Sequence, residues 1–76
     1  MNNERRKRID AAMQKLEEIK SEVDSILDEE SEAFDAMPEG LQNSERGQLA
    51  EAAKDNLENV QGFLQDALDS LQEAQA

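Results

Sequence analysis

From Ile9 onward the apolar residues advance in alternating steps of three and four: Ile9, Ala12, Leu16, Ile19, Val23, Ile26, then Glu30, Ala33 and Met37, with Glu30 the one polar member. A second run, Ala50, Ala53, Leu57, Val60, Leu64, Ala67, Leu71 and Ala74, keeps the same spacing without interruption. Such steps place each run on one edge of a helix as a heptad seam, so both segments need a partner along that edge. The chain is 36% charged and 3% aromatic, a balance otherwise typical of disorder, and the periodicity decides against that reading.

Between the runs lies Met37-Pro38-Glu39-Gly40-Leu41-Gln42-Asn43-Ser44. Pro38 disfavours helix at Met37, and Gly40 permits a positive φ, so a turn is expected over residues 38–43. Asn43 or Ser44 is the expected cap of the second helix, without a full capping box because Gly47 follows Ser44 by three. The prediction is one domain over residues 1–76: helix one over 4–37, helix two over 44–75, folded as an all-α antiparallel two-helix hairpin of coiled-coil type. Pairing positions whose numbers sum to 83 sets Ile26 on Leu57, Val23 on Val60, Ile19 on Leu64, Leu16 on Ala67 and Ala12 on Leu71. The same register sets Glu30 against Ala53, from where its carboxylate can snorkel toward Lys54.

Seventy-six residues make a marginal core. Apolar residues also spill beyond the seam, at Met13, Leu27 and Phe34 on helix one and at Leu49, Phe63 and Leu68 on helix two. A lone hairpin is not expected to bury them, and Met13, Leu27 and Phe34 flank the opposite side of the seam from Leu49 and Phe63. Self-association of two hairpins into a homodimeric four-helix bundle is the expected solution. Gly62, inside helix two, is read as a close approach of another backbone.

Composition closes most catalytic routes. There is no His and no Cys, which removes the commonest general base, the thiolate nucleophile and most metal ligands. No catalytic, cofactor-binding or metal-binding residue is expected. The acidic run Asp28-Glu29-Glu30-Ser31-Glu32 lacks the ligand spacing and central glycine of a calcium loop. No stretch approaches a membrane span, and the basic start lacks the apolar run of a signal peptide, so a reducing cytoplasm is the expected compartment.

The charges are ordered as well as abundant. Nineteen acids face eight bases, a formal net charge of −11. Arg5, Arg6, Lys7 and Arg8 open helix one, whereas residues 21–39 hold eight acids and no base. Both placements oppose the helix macrodipole. Ion pairs of the acidic stretch with Arg46 and Lys54, and of Arg8 with Asp69 and Glu73, are the plain structural expectation. The functional expectation is a partner-binding surface made of Asp28, Glu29, Glu32, Asp35, Met37, Pro38, Leu41 and Arg46, facing an unidentified protein of basic character. An alternative is an acidic decoy for a DNA-binding protein. Duplex DNA carries about 28 charges over about 48 Å, against 11 for one chain and 22 for two. A third reading makes Arg5, Arg6, Lys7 and Arg8 an arm for nucleic acid or anionic membrane; without interleaved aromatics and with this net charge, nucleic acid is disfavoured.

The opening Met-Asn-Asn-Glu-Arg-Arg-Lys-Arg-Ile and the central segment from Phe34 through Gly47 resemble a group of small acidic proteins encoded by bacteriophages and prophages, over nearly the whole chain. Ala36 and Gly40 stand where that group often has Asn, and Asn or Ser. The resemblance implies a setting, an accessory protein in the cytoplasm of a bacterial host cell, and no particular activity.

Overall fold

The computed structural model describes residues 1–76 and is all-helical: α1 (Asn3–Asp35), α2 (Glu39–Gln42) and α3 (Glu45–Ala74). It measures 58 × 15 × 12 Å. Helices of 33 and 30 residues fit that length only side by side, since each spans roughly 45–50 Å at 1.5 Å per residue. Their contacts run in opposite order along the two helices. Gln75 Nε2 donates to Met13 Sδ at 3.3 Å, Gln61 Nε2 to Asp24 Oδ1 at 2.6 Å, and Lys54 Nζ lies 4.9 Å above the centre of the Phe34 ring.

Those pairs sum to 88, 85 and 88, so the register lies two to five positions away from the expected 83. The inward face is also rotated. Ile9, Leu16, Val23 and Glu30 face α3 as expected, but the row completing the seam is Met13, Lys20, Leu27 and Phe34, not Ala12, Ile19, Ile26 and Ala33. On α3 the same rotation brings in Lys54, Gln61, Leu68 and Gln75 beside Ala50, Leu57, Leu64 and Leu71. Met13, Leu27 and Phe34, expected to lie beyond the reach of a lone pair of helices, are half-buried, and Leu68 is among the most buried residues at 6% exposure. The physical reason is visible in the contacts: Gln61, Gln75 and Lys54 offer polar or cationic groups to Asp24, the Met13 sulfur and the Phe34 ring, contacts that an Ala and Val row lacks.

Local chemistry sets the ends. Asn2 caps α1, its side chain accepting from the Arg5 amide at 2.8 Å. α1 stops at Asp35, two residues before the expected end, because Pro38 (φ −56°, ψ 148°) cannot continue it. The expected simple turn contains the single helical turn α2, closed by the Leu41 and Gln42 amides on the Pro38 carbonyl at 2.8 and 3.1 Å. No glycine has a positive φ, so Gly40 does not use the freedom expected of it. Ser44 takes the N-cap position of α3, but its hydroxyl donates to the Leu41 carbonyl at 2.5 Å and caps no α3 amide.

The close backbone approach falls at Gly47, not at Gly62. A Cβ on Gly47 would collide with the Gln42 carbonyl group and lie 2.5 Å from the Leu41 oxygen, whereas one on Gly62 would meet nothing within 4 Å. Gly62→Ala is therefore expected to raise stability by about 1 kcal/mol through helix propensity. Gly47→Ala, in spite of the same propensity gain, is expected to lower it, because backbone must shift. Urea unfolding of the two variants beside the parent chain checks both signs.

Candidate functional site

The turn end gathers the residues singled out as a partner surface. Asp28, Glu29, Glu32 and Asp35 are exposed on the last turns of α1; Pro38 and Leu41 are exposed around α2, Leu41 at 43%; Arg46 is exposed in the first turn of α3. Met37 is half-buried. Gln42, which the sequence reading passed over, holds this end together. Its Nε2 donates to the carbonyls of Phe34 at 3.1 Å and Met37 at 3.2 Å, so one amide ties the last turn of α1, where the Phe34 carbonyl also accepts from the Met37 amide, to the residue before Pro38. α1 has no basic residue in its last turn, so this neutral donor takes the place of a cation.

Across the helix pair the polar contacts are Gln61 with Asp24, Gln75 with Met13 and Lys54 with Phe34, in place of the expected ion pairs. The register explains Arg8. With pair sums of 85 to 88 its level on α1 falls past Ala76, so Asp69 and Glu73 lie short of it. Arg5, Lys7 and Arg8 are exposed at the other end of the rod; Arg6 is half-buried with its Nε unpartnered. Lys54 packs over Phe34, one helical turn past the Glu30 level at which it was expected.

The rotation of the inward face leaves an apolar face outside. Ile19 is 50% exposed, Ile26 40%, Val60 37% and Phe63 70%. These belong to rows just beside the inward ones: Ala12, Ile19, Ile26 and Ala33 on α1, and Ala53, Val60, Ala67 with Leu49 and Phe63 on α3. Because the two helices run oppositely in their contacts, the sense of rotation is mirrored, and both rows fall on the same side of the pair. Little is buried against this: Ala50, one turn along α3 from the buried Gly47, and Leu68 are the only buried apolar side chains.

The other side of the pair carries a shallow cleft between the helices, bounded by Glu17, Lys20, Asp24 and Asp69 with Met13 and Leu68 at its floor. No group of three carboxylates is placed to hold a metal ion, and no helix is long and apolar enough to cross a membrane. The sequence matches no family model, and comparison with curated proteins and with solved structures returns no match.

Removing the double donor at Gln42 tests how the turn end is held. Gln42→Leu is expected to cost about 1–2 kcal/mol, two modest hydrogen bonds to half-buried carbonyls. Urea titration reads the loss, and faster amide exchange near residues 36–42 localises it.

Proposed function

We propose that this chain is a non-catalytic protein-binding module, an accessory protein of phage or prophage origin, built as an antiparallel helical hairpin that works as a homodimeric four-helix bundle. The observation that carries this reading is the outward apolar face: Ile19, Ile26, Val60 and Phe63 lie exposed on one side of a chain that buries only Ala50 and Leu68 among its apolar residues. Fully covering side chains of this size is worth about 1.5–3 kcal/mol each. A protein surface is the natural cover, and a second copy supplies one with the same spacing. The acidic turn end, with Asp28, Glu32, Asp35, Leu41 and Arg46 exposed, is then left for a further, basic partner.

An acidic decoy for a DNA-binding protein is the second reading, favoured by one observation: residues 21–39 hold eight acids and no base, so their field is not neutralised within that segment. Over the 58 Å rod, DNA would carry about 34 charges against 22 for two chains.

Native mass spectrometry across micromolar concentrations is the primary test. A species of twice 8.5 kDa is expected, and a single-chain mass throughout would contradict the proposal. Capture of a basic partner then separates the two readings. Binding through the turn should fall with Leu41→Asp and change little with salt, whereas decoy binding should fall steeply with salt and tolerate that substitution.

A further inference from the structure

We propose that the second copy lays its α1 antiparallel on this α1, about a two-fold axis at Ile19, with Arg8 paired to Glu29 and Lys15 paired to Glu22 of the other copy. This rests on the self-association proposed above and adds its face, its polarity and its register.

Three observations converge on that axis. Arg8, Lys15, Glu22 and Glu29 recur every seven residues, all exposed, along one line of α1 beside Ile19 and Ile26. That line is complementary to its own reversal. Reversed about the point midway between residues 15 and 22, each cation meets an acid, Arg8 with Glu29 and Lys15 with Glu22. Rows of this kind, flanking an apolar seam, meet their own counterparts when two helices run oppositely.

The adjacent apolar row reverses about nearly the same point. Ile19 meets Ile19, and the small Ala12 meets the larger Ile26. Residue 19 is also the midpoint of Asn3–Asp35, so the two α1 helices overlap over their full length.

The competing arrangement puts both turns at one end and lays α1 over the other copy's α3. It would bring together two stretches that each hold eight acids and no base, and it would set Arg8 beyond the end of α3. Like-charge apposition disfavours that polarity. The antiparallel arrangement also accounts for the charge order of α1. Its opening cations oppose their own macrodipole but lie by the C-terminal end of the other α1, where cations are favoured, and its closing acids lie by the other N-terminal end.

The chain has no cysteine, so a single Ile19→Cys substitution gives an unambiguous probe. Oxidation or a short bis-maleimide is expected to join two copies through Cys at that position, while Asp28→Cys, on the outer side of α1, stays single. A dimeric native mass with no link through position 19 would overturn this arrangement and leave self-association standing; a single-chain mass would remove both. Charge reversal gives an independent readout. Arg8→Glu with Lys15→Glu is expected to raise the dimer Kd about tenfold, through two pairs each made twice. Adding Glu22→Lys and Glu29→Lys should bring it back, and failure of that second pair to restore binding would contradict the pairing.

Discussion

Each long helix carries more apolar edge than one neighbour can cover, and the rest of the molecule depends on how that excess is divided. Ile9, Leu16 and Val23 on α1, with Ala50, Leu57, Leu64 and Leu71 on α3, are common to both possible faces. What distinguishes the faces is the row on either side. One is almost purely apolar and holds Ile19, Ile26 and Val60; the other mixes Met13, Leu27, Phe34 and Leu68 with Lys20, Lys54, Gln61 and Gln75. Within the chain the mixed row wins, because its polar members find partners across the gap. The purely apolar row needs no such pairing and is left outward for another surface.

This division separates specificity from burial. Directional contacts, Gln61 to Asp24 and Gln75 to Met13, set how one helix slides along the other. The turn adds its own constraint, since Gly47 lets α3 start against the Gln42 carbonyl while the Gln42 side chain reaches back to the end of α1. The turn acts at one end of a thin rod and the Gln75 contact toward the other, while its middle is held by partly exposed side chains. A chain arranged this way has a defined register but little interior, and the proposed bundle supplies the interior that the single chain lacks.

Much of this was legible in the residues, and the limits have physical causes. The two long helices follow from unbroken seven-residue spacing, and the break at Pro38 follows from its missing amide. The seam members Ile9, Leu16, Val23, Leu57, Leu64 and Leu71 could be read because each face requires them. The rotation could not, because counting apolar residues favours the row with Ile19 and Ile26, whereas the fold uses hydrogen bonds and a cation over a ring. The register error has the same origin, since apolar pairs tolerate sliding and polar pairs do not. Gly47 and Gly62 are indistinguishable by helix propensity; only the position of α2 makes one of them necessary. The ion pairs expected of Arg8 failed with the register, which carried it past the end of α3. The candidate surface at the turn was legible as composition, with its acids, Leu41 and Arg46, but its support by Gln42 depends on a side chain reaching back eight residues to Phe34.

The central claim is that the outward row of α1 is covered in the working molecule. The chain has only three isoleucines, Ile9 facing α3 and Ile19 and Ile26 facing away, so their methyl groups report each face separately. Relaxation of these methyls by a soluble paramagnetic chelate, measured where native mass shows the associated form, is the most direct measurement. The account predicts that Ile19 and Ile26 are shielded at least as well as Ile9; strong relaxation of Ile19 and Ile26 beside a protected Ile9 would contradict it.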